Sequence, residues 1–165
     1  MSTIRKTSLG CRGRESRIYV AGASAPSERS RVREVMNAIE GSPRLELVHD
    51  WLSLIERTEE WEMSRLERVD AAIVDLGSID SADAVLLLLP RSAQSIGAWV
   101  ELGYAMARGK AITISGVPPK GPGEDWRDPI FVEAAVSPLG AARFCCDLDA
   151  VQWLEEWATG ARVVF

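Results

Sequence analysis

Residues 84–90 read AVLLLLP, and this run constrains the fold more than any other stretch of the chain. A strand that alternates apolar and polar positions keeps one face in water, whereas a strand with no polar position has to be covered on both. The run is too short for a membrane span and is closed by Pro90, so it reads as a central strand of a parallel sheet with helices on either side. Other strand signals recur along the chain: RIYVAG at 17–22, LELVHDW at 45–51, AITISG at 111–116 and ARFCCDL at 142–148. Helical spacing fills the gaps. Val32, Val35, Met36 and Ile39 form one stripe, with Ser27 as the candidate cap and Gly41 and Pro43 as the stop. Leu66, Val69, Ile73, Leu76 and Ile79 keep a helical spacing within 55–80, read as one helix. Residues 96–108 and 149–158 complete the set.

Strands alternating with helices predict a three-layer α/β sandwich around a central parallel sheet of about five strands, of the flavodoxin or Rossmann kind. With 165 residues there is room for one domain, assigned to 17–165 and preceded by a flexible basic arm at 1–16 that carries Arg5, Lys6, Arg12 and Arg14. The net charge of −5 argues against a nucleic-acid polymer as partner, and no signal peptide or membrane-spanning run is present. Three cysteines, two of them adjacent at 145 and 146, and a single histidine, His49, supply no metal-ligand spacing. The expectation is a cytoplasmic chain without metal or cofactor.

In open parallel sheets the ligand lies beyond the carboxyl ends of the strands, where the segments 22–30, 90–97 and 116–129 gather. No GxGxxG or GxxxxGK[ST] loop occurs among them. The helix after the second carries one acid, Glu101, within IGAWVELGYAMA. Apolar nearly all round, this helix is expected to be buried, and a buried carboxylate is paired or used. Asp75 and Asp83 flank LGSIDSA ahead of the central strand, and Tyr19 opens the first strand. Carboxylates and a tyrosine around one cleft, without metal ligands, suit glycosidic chemistry. Trp51, Trp99 and Trp126 are candidates to stack on a base, although any one tryptophan is more often core. His49 reads as structural, and Cys145 and Cys146 as small residues in a buried strand.

IYVAG, DLGSIDSAD and above all GAWVELGYAMARGKAI resemble the nucleoside 2-deoxyribosyltransferase family, including its branch that hydrolyses 2′-deoxynucleoside 5′-monophosphates. The resemblance runs over about residues 17–116, and more loosely over PIFVEAA and VQWLEEW. It implies that Glu101 is the nucleophile that forms a glycosyl-enzyme ester, that Tyr19 orients it, and that Asp75 helps protonate the leaving base. Asp83 matches an acid of the family with either a positional or a chemical role. Ser95 stands six positions before Glu101, where transferases acting on free nucleosides usually carry Asp. A carboxylate would repel a 5′-phosphate; a serine hydroxyl can donate to one, helped by the helix-initial N–H of Gly97. Gly22 and Ser24, with Ser27 and Arg29 as further candidates, complete the substrate-binding set. The implied partner is a small nucleoside or nucleotide. The resemblance also implies a homodimer or higher homo-oligomer with shared sites.

The leading reading is an N-glycosidase that cleaves the base–sugar bond of a nucleoside 5′-monophosphate. Base exchange by a deoxyribosyltransferase is the alternative. A non-catalytic nucleotide-binding domain and a glycohydrolase of NAD-like dinucleotides stay open behind them.

Overall fold

The computed structural model describes residues 15–91, 95–116 and 141–160. The readings made for the basic arm up to residue 14, for the Gly/Pro-rich segment from 117, for Trp126 and for PIFVEAA lie outside them.

Five strands form one sheet in the order β2-β1-β3-β4-β5, every neighbouring pair parallel. They are β1 (Ser16–Ala21), β2 (Leu45–Leu47), β3 (Ala84–Leu88), β4 (Ala111–Ser115) and β5 (Ala142–Phe144). Every residue of β3 is buried, as an uninterrupted apolar strand requires. The helices are α1 (Pro26–Glu40), α2 (Trp51–Arg57), α3 (Arg65–Ser81), α4 (Ile96–Ala107) and α5 (Asp147–Ala158). α1 packs with α5 on one face of the sheet and α3 with α4 on the other, so the three-layer sandwich is the fold adopted.

Local chemistry moved several boundaries. α1 starts one residue before the expected cap: Ala25 is the N-cap and Pro26, whose ring presets a helical φ, opens the first turn. β2 ends at Leu47 rather than at 51, because Asp50 accepts from the Ser53 N–H at 3.0 Å and starts α2. The segment 55–80 is not one helix. α2 stops at Arg57, a 3₁₀ turn covers Glu60–Glu62, and α3 begins afresh at a capping box. There the Glu67 N–H donates to Ser64 Oγ at 3.3 Å and the Ser64 N–H to Glu67 Oε2 at 2.7 Å.

The apolar stripe of α3 is also not the core seam that its spacing suggests. Ile79 is buried and Leu76 packs on the core, but Leu66, Val69 and Ile73 face outward. α4 likewise buries one stripe, Ala98, Leu102 and Ala105, and exposes Ile96 and Val100. Cys145 and Cys146 follow β5 and are exposed, not part of a buried strand.

Candidate active site

With strand order 2-1-3-4-5, the chain leaves β1 toward one edge and returns past it to build the other. The connections after β1 and β3 therefore diverge and leave a crevice between them. Gly22 and Ser24 come from the first connection, and Ser95 and Gly97 from the second. Together with residues from α2, α3 and α4 they line a cavity of about 520 Å³, a size suited to a nucleotide-sized ligand.

Each polar group in this cavity has a local reason for its place. Gly22 ends β1 where the chain passes close to α1: a Cβ there would lie 3.3 Å from Val32 Cγ2 and 3.8 Å from the Trp51 ring. Ser95 is the N-cap of α4, its Oγ accepting from the Ala98 N–H at 3.3 Å and lying 3.5 Å from the Gly22 carbonyl. The start of α4, with its free N–H groups and Gly97, thus faces the crevice and favours an anion. Glu101 lies further along α4. Tyr19 reaches across from the middle of β1, and its hydroxyl donates to Glu101 Oε1 at 2.9 Å.

The second oxygen, Glu101 Oε2, is buried and accepts no hydrogen bond among the described residues. Burial pushes the Glu101 carboxyl up to about 7; the Tyr19 hydrogen bond pulls it down and the negative charge of Asp75 pushes it up again. Burial, reinforced by the charges of Glu101 and Asp75, holds the Tyr19 phenol far above its ordinary range, so it stays a donor at any working pH.

Asp75 projects from α3 into the same cavity, and its Oδ1 is a second buried oxygen with no hydrogen bond among the described residues. His49 Nε2 lies 3.4 Å from that oxygen, close enough for an ion pair though not aligned as a hydrogen bond. The sequence reads His49 as structural, with no signal that it stands beside Asp75. It lies just past the end of β2, and its meeting with Asp75 depends on that strand stopping early. The rest of the lining, from α2 through α3, is largely apolar, with Trp51, Leu54, Ile55, Met63, Ala71, Ala72 and Leu76, and carries one cation, Arg68. Trp51 is pinned there by its indole N–H, which donates to the Val20 carbonyl at 2.8 Å.

Tyr19, Asp75 and Glu101 are brought together, and Gly22, Ser24, Ser95 and Gly97 line the same cavity as the two carboxylates. Asp83 is not among them. It precedes β3 at the amino end of the sheet, away from the crevice, where it accepts from the Arg17 backbone N–H at 2.9 Å and pairs with the Arg17 guanidinium. The residue read from the sequence as a substrate contact thus stands at the end of β3 opposite to the carboxyl ends that border the crevice, and does not line the cavity. Ser27 and Arg29 do not line the cavity, and the Arg29 guanidinium is held by Glu59 and the Ser24 carbonyl. Trp99 packs against the core.

A five-stranded parallel sandwich with a carboxylate–tyrosine pair at its switch point is the architecture that this chain presents. No family model and no curated protein matches the sequence. Solved structures do match the fold. A CMP N-glycosidase of Clostridium botulinum, BcmB, is 18% identical, with a TM-score of 0.51 over 86% of this chain and 99% of that one. A 2-deoxyribosyltransferase from Bacillus psychrosaccharolyticus is 18% identical, with a TM-score of 0.55 over 81% of this chain and 89% of that one. The fold implied by the sequence resemblance is the fold of these two structures.

Proposed function

We propose that this chain is an enzyme, an N-glycosidase that hydrolyses the base–sugar bond of a nucleoside 5′-monophosphate. One observation carries the reading: two buried carboxylate oxygens, Glu101 Oε2 and Asp75 Oδ1, have no hydrogen-bond partner among the described residues, and both carboxylates line one cavity. Buried polar atoms in folded proteins are almost always satisfied, so two orphans in one cavity mark groups kept for a ligand. The likeness in fold to an N-glycosidase and a deoxyribosyltransferase supports the same reading.

The chemistry follows from the placement. Cleaving the bond builds positive charge on the sugar and negative charge on the departing base. With Tyr19 occupying Oε1, Oε2 is the oxygen free to attack the anomeric carbon. The carbon–nitrogen bond breaks as the carbon–oxygen ester forms, and the base leaves with a proton delivered through Asp75, which is left as the carboxylate. Water then adds to the anomeric carbon as the ester carbon–oxygen bond breaks, its proton passing to Asp75, which releases the sugar phosphate and restores both the Glu101 carboxylate and the Asp75 proton. The apolar lining around Trp51 receives the base, while Ser24, Ser95 and the start of α4 receive the phosphate.

Ile96 and Val100 line the cavity and are exposed; Leu66, Val69 and Ile73 of α3 are exposed too. A second copy of the chain seated on these side chains would cover them and close the open side of the cavity.

The test is base release, followed by chromatography, from a panel of ribo- and deoxyribonucleosides and their 5′-monophosphates, with and without an acceptor base. Release from a monophosphate without acceptor is expected, and Glu101→Ala should lower it by at least about 10³-fold with the fold intact. Ser95→Asp should weaken the monophosphate more than the nucleoside. Release only with acceptor present would make the enzyme a transferase; no release from any substrate would remove the assignment and move weight to the dinucleotide or non-catalytic binding readings.

A further inference from the structure

A charged cluster lies beside the crevice and takes no part in the chemistry above. Arg31, on α1, is 8% exposed and Glu28, one turn earlier, 3%. The Arg31 guanidinium donates to Asp147 at the start of α5 (Nε to Oδ2 at 2.7 Å, Nη2 to Oδ1 at 2.8 Å) and to two backbone carbonyls. Those carbonyls are Leu89, just past β3, at 2.6 Å, and Ser115, the last residue of β4, at 3.5 Å. Ser115 Oγ donates to Asp147 Oδ1 at 2.6 Å. Glu28 Oε2 lies 3.4 Å from Arg31 Nη1, and Glu28 Oε1 accepts the backbone N–H of Arg91 at 2.9 Å. The chain leaving β4 is fitted to the same guanidinium: at Gly116, with φ of +102°, a Cβ would lie 2.6 Å from Arg31 Nη2.

A buried ion pair adds little net stability over apolar residues of similar volume, because desolvation offsets the attraction. What this one does hold is backbone. Arg31 and Glu28 fix the chain at Leu89 and at Arg91, and four positions after Arg91 comes Ser95, the N-cap of α4. We propose that Glu28 is a positioning residue for the anion-binding part of the cavity: by holding the Arg91 amide, it sets where Ser95 and the first N–H groups of α4 stand. This rests on the reading of that part as a phosphate site. The Glu28 carboxylate need not touch the substrate; its contribution is an acceptor oxygen at one fixed height, which a glutamine can also present and an alanine cannot.

The experiment has two arms, on Glu28→Ala, Glu28→Gln and Glu28→Asp in the full chain. In the first, amide hydrogen exchange is followed by NMR at Arg91 and Ala98, with Leu86 in β3 as the internal control. Exchange at both amides should quicken about tenfold in Glu28→Ala and in Glu28→Asp, whose side chain falls short, and stay near wild type in Glu28→Gln. In the second, KM and kcat are compared for the best 5′-monophosphate of the panel and its nucleoside. Glu28→Ala should raise KM for the monophosphate about tenfold and change kcat and the nucleoside KM by less than about twofold.

Equal quickening at Leu86, equal behaviour of the Gln and Ala variants, or a KM rise shared by both substrates would overturn the proposal. Should Glu28→Ala fail to fold, Glu28→Asp decides the same comparison. Should the wild type release no base at all, the functional reading falls, and the exchange arm alone still decides whether Glu28 holds this segment.

Discussion

Glu101 carries opposite demands on one side chain. In the proposed role its carboxylate would have to be ionised to attack, yet burial favours the proton and raises its titration from 4.5 to about 7. The protonated form is thus bound more tightly in the native state than in the unfolded one. Stability contributed by that proton is complete below about pH 4.5 and is lost as pH rises to about 7. Glu101→Gln removes the ionised group, so it should stabilise the protein more at pH 8 than at pH 5, by on the order of 2 kcal/mol. Urea denaturation at the two pH values measures this, and a larger gain at pH 5 would contradict it. If Glu101 is the nucleophile proposed, the acid limb of kcat/KM should lie near pH 7, with activity falling below it, and a pH profile flat from about 5 to 8 would contradict that role. Of this residue-scale picture the sequence disclosed Glu101, Tyr19 and Asp75, through a recognisable motif. It did not disclose His49, since nothing around a single histidine beyond a strand reports that a loop will bring it to Asp75.

At the scale of elements, the sheet sorts residues by the end they occupy. Asp83 and Asp75 are only eight positions apart, but Asp75 is on the cavity face of α3 and Asp83 beyond that helix, at the amino end of β3. Asp83→Ala should therefore cost about 1 kcal/mol through the lost Arg17 contacts, read as a lower Tm, and leave kcat/KM within about twofold of wild type. A loss of activity comparable to that of Glu101→Ala would return Asp83 to the site. The order of strands and helices was legible because β3 has no polar position and the connections between strands carry helical spacing. The break between α2 and α3 was not. Its signals are short-range, the Asp50 cap and the Ser64–Glu67 capping box, and the apolar spacing of Leu66, Val69 and Ile73 overrode them. That spacing is real, but it marks a face turned outward rather than inward.

At the scale of the whole molecule, the outward face matters most. Leu66, Ile73 and Ile96 are 76%, 63% and 77% exposed, and they belong to the two helices that carry Asp75 and Glu101. Exposed apolar side chains of this size are what the second copy proposed above would cover. Ile73→Asp should leave the fold intact, shift the sedimentation coefficient from an oligomer to a monomer, and lower kcat/KM by about tenfold or more if the covering copy also walls the cavity. Unchanged sedimentation would assign these side chains to a different partner. Among the described residues no helix is long and apolar enough to cross a membrane. Because Ile96 and Val100 are both exposed and part of the cavity lining, assembly and turnover would share the same side chains. Specific activity would then depend on dilution, and the abundance of the protein would itself act as a control on its rate.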